Sequence, residues 1–505
     1  MKKIATLALT LVALYSNAQN INDALRFSQT DLGGTARFRA MSGAFGALGG
    51  DLSAINVNPA GSSIFANNQL GISLSNNNYK NDSNYFGKNT SDNDNTFDLN
   101  QVGAVFTFEN NRKKSDWKKL GLAINYENIK SLDNSLNIAG TNPTNSVDNY
   151  FLYYADGLPL STLDGSNYNY GELYFNEQQA YLAYQSYLID PTANTPTNNT
   201  YYTNISNAGN YYQENGLSSK GYNGKVNFNI SGQYTDNWYF GLNLNAHFVD
   251  YRQSTFFFEN NNNPKYATGT TVDTVRFYND LYTYGNGFSF QLGTIFKPTP
   301  EVRVGLVYDS PTWFTLNDEL SQRINTSGYG LNTAQDNTIY GTGGINPNKT
   351  MVYEPYGLKT PSKFTTSFAY VFAKKGLISL DYIFKDYSST KLTPKKDFTA
   401  TNNNMESVLD ATSEVRIGAE YKIQKFSLRG GYRYEQSPYK DKKTIGDLTG
   451  YSGGLGYNFG STKVDLAYVA SKRDYYHQMF NVGLTDAAKI NSKNNTVTLT
   501  VLFEM

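Results

Sequence analysis

The sequence predicts an all-β protein: a transmembrane antiparallel β-barrel of about fourteen strands. Three observations lead there. The chain opens on a secretory signal, no later segment is apolar enough for a membrane helix, and apolar and polar residues alternate with period two from Leu70 to Phe503.

The signal comes first. Lys2 and Lys3 form a positive start, Ile4 to Leu14 is apolar, and Ser16-Asn17-Ala18 offers small residues for cleavage after Ala18, so 1–18 is read as a signal peptide. With 0 cysteines the exported chain has neither a disulfide framework nor a lipidated N-terminal Cys. Composition points to a membrane boundary, where a ring with a wet hydroxyl is favoured: 15% of residues are aromatic, 42 of them Tyr, although the mean hydropathy is only -0.52. The formal charge is +0 and the pI about 6.8, which gives no electrostatic case for nucleic acid. The expected location is the outer membrane of a Gram-negative bacterium.

The strands come next. Leu120, Leu122, Ile124 and Tyr126 alternate with Gly121, Ala123, Asn125 and Glu127, and Phe240 to Phe248 repeats the pattern. Val302–Tyr308, Phe364–Phe372, Ile378–Phe384, Val415–Tyr421, Phe426–Tyr434, Val464–Tyr468 and Val497–Phe503 fit it as well. Weaker runs lie near Leu70, Val102, Val226, Phe288 and Tyr451. A stack of secreted β-sandwiches would also alternate. Asp381, Arg416, Glu420, Arg429, Arg433 and Asp465 all take the parity opposite to the apolar residues, which a barrel turns toward its lumen and a sandwich toward water. Connection lengths favour the barrel: short turns such as Thr235-Asp236-Asn237 alternate with long loops rich in Asn, Tyr and Ser. The longest loop is placed at about 129–221. Within it Leu173 to Ile189 reads as an external helix, and the loop itself as a hydrophilic cell-surface cover.

The segment 19–65 precedes the barrel, 66–505. A barrel of about fourteen strands is wider than its own side chains fill, so a luminal plug is required. Phe38, Met41, Phe45 and Leu48 fall at helical spacing and form a candidate apolar stripe and ligand pocket. Further on, Pro59 holds Asn58 extended and Asn58 can cap the turn through Pro59-Ala60-Gly61. That motif is either a structural turn or part of a gate.

The segments "GGTARFRAMSGAFGALGGDLSAINVNPAG", "KPTPEVRVGLVYDSPTWF", "LISLDYIFKDYSS" and "FSLRGGYRYEQSPY" together resemble the outer-membrane transport family of FadL and TodX. The resemblance extends over nearly the whole mature chain, and its most specific element is Asn58-Pro59-Ala60. It implies a fourteen-stranded barrel plugged by an N-terminal hatch, passing hydrophobic molecules such as long-chain fatty acids inward by hatch movement and a lateral opening. The expected partners are a hydrophobic ligand, outer-membrane lipid and the barrel-assembly machinery, and a monomer is expected. Arg26, Arg37 and Arg39 are candidates for a carboxylate head group or for ion pairs with luminal acids such as Glu420. The alternative role is a barrel of the same family serving as a scaffold or secretion-system partner.

Enzymatic chemistry finds little footing. There are 2 histidines, His247 and His477, and neither a nucleophile elbow nor a phosphate loop is present. His247 alone has luminal parity. No cofactor and no metal are expected, and without a nucleotide motif transport would be passive. The chain ends Phe503-Glu504-Met505, whereas barrels of this class usually finish on an aromatic residue.

Overall fold

The computed structural model describes residues 20–112, 114–332, 335–372 and 375–505. The signal peptide expected at 1–18 lies outside them. Fourteen antiparallel strands form the wall. They are β1 (Gln69–Tyr85), β2 (Lys88–Glu109), β3 (Trp117–Ser131), β4 (Tyr211–Tyr234), β5 (Trp238–Asn260), β6 (Thr271–Phe296) and β7, which is interrupted (Val302–Asp309 and Trp313–Tyr329). The eighth, β8, is laid down in pieces, the last two being Tyr356–Lys359 and Lys363–Phe372. Then come β9 (Gly376–Asp386), β10 (Ala411–Ile423), β11 (Phe426–Glu435), β12 (Ile445–Asn458), β13 (Thr462–Gln478) and β14 (Ala487–Glu504). β14 pairs with β1 from Gln69 opposite Glu504 to Asn84 opposite Lys489, so the sheet closes on itself.

Period two decides what each face meets. On β3, Leu120, Leu122 and Ile124 are exposed outward while Ala123 and Asn125 are buried inward; on β8, Phe364 and Phe368 face out and Thr365 and Ser367 face in. The wall is therefore apolar outside and polar inside, the arrangement a lipid environment requires.

The strands differ in height. β4, β5 and β6 have 24, 23 and 26 residues, whereas β9 and β11 have 11 and 10. A tilted strand crosses the hydrocarbon layer in ~9–11 residues, so β4 to β6 rise well beyond it on the long-loop side. Their tops carry a headpiece with its own core, in which Phe151, Leu163 and Leu182 pack on Phe257, Phe277 and Ile324 of the strands. An α-helix at Phe175–Gln185 lies within the stretch read as an external helix. The long loop is shorter than its expected 129–221, because Asn134–Asn142 pairs with the top of β4 and extends the wall. Above the bilayer both faces of a strand meet water or protein, so no apolar alternation marks it in the sequence.

Inside the barrel the chain descends from the long-loop side to the start of β1. It forms α1 (Ile21–Ser28), α2 (Ala36–Ala40) and two 3-10 turns, Ser53–Asn56 and Pro59–Ile64. The helix expected through Phe38, Met41, Phe45 and Leu48 is cut short. Ser42 and Gly43 take positive φ values of 51 and 76, which reverse the backbone just after α2. The four side chains still meet in one packed cluster with Ala369 and Val469 of the wall.

Candidate functional site

The Asn58 motif is a joint between hatch and wall. Asn58 is fully buried and extended; its Nδ2 donates to Gly46 O at 2.6 Å and to Thr294 O of β6 at 3.1 Å, and its Oδ1 accepts from Ala60 N at 3.1 Å. Pro59 opens the following 3-10 turn, and its carbonyl accepts from Asn229 Nδ2 of β4 at 2.9 Å.

The hatch backbone rests on glycines of the wall, an element that the sequence reading did not single out. A Cβ at Gly241 of β5 would overlap the Pro59 backbone, and one at Gly293 of β6 would overlap the Asn58 side chain. On the opposite side Gly418 and Gly431 would each bring a Cβ within 2.6 Å of the Met41 backbone. All four have luminal parity. The signal was present in the alternation, as glycine at polar-face positions of strands.

Charged side chains bind the two parts together. Arg37 of the hatch donates from Nε and Nη2 to Glu420 of β10 at 2.8 and 3.2 Å. Glu420 also accepts from Arg429 of β11 at 2.6 Å, and Arg429 reaches Asp465 of β13 at 2.5 Å. A second network joins Arg416, Glu414, Arg433 and Glu435. Asp381 on β9 takes part in neither; it accepts from the hatch N–H groups of Phe45 and Gly46, each at 3.0 Å. Within the hatch, Asp51 accepts from Thr35 Oγ1 at 2.8 Å and Ser53 N at 2.9 Å, and burial pushes its carboxyl up.

The largest luminal apolar cluster around the hatch lies at α1, where Arg26 was the one site residue expected. Asn20 caps the helix and Asp23 reaches back to the Asn20 N–H at 2.9 Å. The buried face, Ala24, Leu25 and Phe27, packs against Val249 and Tyr251 of β5, Phe314 and Leu316 of β7, and Tyr356 and Leu358 of β8. Phe398, Met405 and Leu409 from the loop after β9 close over them. Arg26 pairs with Asp23 at 2.7 Å and lies over the Tyr251 ring at 4.3 Å. The pattern Ile21, Ala24, Leu25 and Ser28 after a capping Asn was a legible helix signal.

Beside this chamber the wall is interrupted. Ser310-Pro311-Thr312 breaks β7 and Thr360-Pro361-Ser362 breaks β8; the flanking pairs Asp309–Lys363 and Trp313–Lys359 set the two breaks opposite one another. Proline has no N–H to give the ladder. Across the seam Thr360 N donates to Thr312 O at 3.0 Å and Thr312 N to Thr360 Oγ1 at 2.8 Å. Parity changes here too, since Val307 and Phe314 both face inward.

A closed, hatch-filled barrel with an apolar exterior is the architecture of a membrane conduit. A family profile described as outer membrane protein transport protein (OMPP1/FadL/TodX) matches residues 192–503. The chain belongs to that family. The FadL/TodX family comprises outer-membrane β-barrel transporters of hydrophobic compounds. Its match begins beyond the hatch, so the Asn58 motif lies outside it. No curated protein sequence matches the chain. Among solved structures a Pseudomonas aeruginosa FadL homologue aligns with a TM-score of 0.53 at 12% identity, over 94% of this chain and 99% of that one. The P. putida toluene transporter TodX aligns with a TM-score of 0.50 at 13% identity, over 94% and 99%. At these identities the likeness concerns the fold.

Within this FadL/TodX barrel, Phe38, Met41, Phe45 and Leu48 are packed side chains. None of them lines the cavity beside the hatch, which is bordered instead by Leu32, Arg39, Tyr79, Asn100 and Val469 among others. The four side chains are taken up in packing against one another and against Ala369 and Val469 of the wall. His247 Nε2 lies 2.9 Å from Ser289 Oγ, but its buried Nδ1 has no hydrogen-bond partner among the described residues, so none of their acids orients the ring.

Proposed function

We propose that this protein carries hydrophobic or amphipathic small molecules, such as long-chain fatty acids, passively across the outer membrane by hatch movement and lateral release. The observation that carries the reading is the α1 chamber: an apolar site inside a polar lumen, filled by the apolar face of the hatch's own first helix and adjoining the Pro311/Pro361 seam. An alkyl chain gains ~0.8 kcal/mol for each CH₂ it buries, so cargo competes with Leu25 and Phe27 for the same surface. Cargo that displaces α1 stands against a part of the wall where two strands share few ladder bonds, and that is where we place the exit. No energy source is needed when cargo is consumed on the inner side.

The test is uptake of a radiolabelled fatty acid and of toluene by a deletion strain carrying the protein with Phe27→Cys and Tyr251→Cys, whose rings face each other at 6.4 Å. The chain has 0 cysteines of its own, so a thiol crosslinker joins only these positions. Crosslinking is expected to abolish uptake and cleavage of the linker to restore it. Uptake that continues with α1 tethered rules out this route, and the absence of any defect in the deletion strain favours a scaffold role.

A further inference from the structure

Three lysines stand side by side on the outer face of the wall. Lys80 of β1 lies opposite Lys493 of β14, and Lys493 lies opposite Lys472 of β13. Neighbouring strands are ~4.8 Å apart, so the three backbone positions span only about 10 Å. All three take the outward parity of Ile72, Val497, Leu499 and Leu466, and about half of each lysine side chain is exposed. Like charges directly opposite in an antiparallel pair are destabilising, and Lys493 meets one on both sides.

Two acids reach the row. Asp82 lies 3.3 Å from Lys80 and 3.7 Å from Lys493, which share its carboxylate, and Asp474 lies 3.7 Å from Lys472. Asp82 also accepts from Ser91 Oγ at 2.8 Å and Asp474 from Asn491 Nδ2 at 2.7 Å. Solvent-exposed pairs at these distances are weak. They leave the row one ammonium in excess, and Lys489 stands two outward positions above Lys493 on the same strand. Asp447, the exposed acid of β12, is taken up by Tyr434 Oη at 2.7 Å and Ser437 N at 2.8 Å.

Height decides which anion the row can meet. At the short-turn rim Leu70, Phe503 and Thr462 are register partners, and each lysine lies ten residues further along its strand. A tilted strand crosses the hydrocarbon in ~9–11 residues, so the row stands at its outer boundary, on the long-loop side. Exposed Ile72, Val497, Leu499 and Leu466 form an apolar strip beneath it. Between strip and row lies Tyr468, whose hydroxyl donates to Asn495 Oδ1 at 2.9 Å, at the level where amphipathic rings are favoured. Asn93 of β2 and Thr449 of β12 extend the row at its two ends with groups that hydrogen-bond sugar hydroxyls. A free anion uses only the ammonium groups, whereas an anion carried on acyl chains uses the strip as well. The outer leaflet of an outer membrane is built of such a molecule, a phosphorylated glycolipid.

We propose that the Lys80–Lys493–Lys472 row docks the phosphate of an outer-leaflet glycolipid of the lipid A type, with its acyl chains along the apolar strip. A phosphate touching all three ammonium groups removes their mutual repulsion. Because β1 and β14 are the pair that closes the sheet, the lipid spans the closure. The site is on the lipid side of the wall, away from the hatch, and does not depend on the transport reading.

The experiment measures, by native mass spectrometry of the purified protein in detergent, binding of lipid A carrying two phosphates, of the same lipid A after phosphatase treatment, and of phosphatidylglycerol. Wild type is expected to bind lipid A about ten-fold more tightly than either of the others. That preference should be lost when Lys80→Gln, Lys472→Gln and Lys493→Gln are combined, and largely kept in the corresponding triple Arg variant. The control combines Lys118→Gln, Lys375→Gln and Lys425→Gln, which removes the same charge from the short-turn side. Lipid A binding unchanged by the row variant overturns the proposal, and so does equal weakening in the control. Wild-type binding that ignores the phosphates, or that is as tight for phosphatidylglycerol, overturns it as well. Displacement of lipid A by millimolar inorganic phosphate makes the row a free-anion site and overturns the lipid assignment. Heat-modifiable migration reports whether each variant is folded, and the wild-type ratios stand as a test if the triple Gln variant does not assemble.

Discussion

Arg37 and Glu420 fasten the hatch to the barrel wall: two guanidinium nitrogens donate to the two carboxylate oxygens at 2.8 and 3.2 Å, with the Glu420 side chain only 1% exposed. Arg429 holds the same carboxylate from the wall side, so Glu420 keeps a cation when the hatch leaves. The latch can therefore open without stranding a buried anion. Arg37→Ala is expected to raise single-channel conductance in planar bilayers and sensitivity to bulky antibiotics, with the barrel still folded. Glu420→Ala should cost more, about 3–5 kcal/mol of stability, because it strips a partner from two arginines at once. Equal stability of the two variants in thermal unfolding would contradict this ordering.

Gly241 and Gly293 tolerate no side chain where the Asn58-Pro59 joint lies against them. Gly241→Ala and Gly293→Ala should unseat the joint and leave a leaky pore. Gly430→Ala is the control, since a Cβ there meets nothing nearer than Ser452 O at 3.9 Å. Conductance equal in all three variants would show that the hatch is not seated on these positions.

Replacing Asn58 and Pro59 together by Ala removes bonds to Gly46 O, Thr294 O and Ala60 N. Each buried group left unpaired costs about 1–3 kcal/mol, enough to displace the joint but little of the wall. Slower uptake of a hydrophobic substrate is expected, with assembly and heat-modifiable migration unchanged. Normal uptake would reduce the motif to a structural turn.

The seam is testable by closing it. Pro311→Cys with Pro361→Cys places two thiols on facing strands between the pairs Asp309–Lys363 and Trp313–Lys359. Oxidation should slow uptake at least several-fold and reduction should restore it. A matched cysteine pair at Thr366 and Leu306, which are register partners in the unbroken part of the same two strands, should have no effect. Uptake indifferent to oxidation at the prolines would move the exit elsewhere.

Alternation alone determined the wall, because in a barrel parity is a local property: a residue faces lumen or lipid according to its place in its own strand. Leu120, Leu122 and Ile124 outward, Asn125 inward, and the sidedness implied by short turns and long loops could be read without knowing any neighbour. The interruptions at Pro311 and Pro361 were equally visible one at a time. That they stand opposite each other depends on the register of β7 against β8, which hydrogen bonds across the chain fix. Tertiary structure also decided what each hatch arginine meets. Arg26, Arg37 and Arg39 are alike in the sequence, and only the descent of the hatch past Glu420 and Ser75 separates them. The chamber at α1 was out of reach for the same reason: its walls come from strands hundreds of residues away, and an eight-residue amphipathic helix does not by itself say what it covers. Period two is a one-dimensional constraint that a sequence carries intact, whereas contacts between hatch and wall are set by closure of the whole sheet.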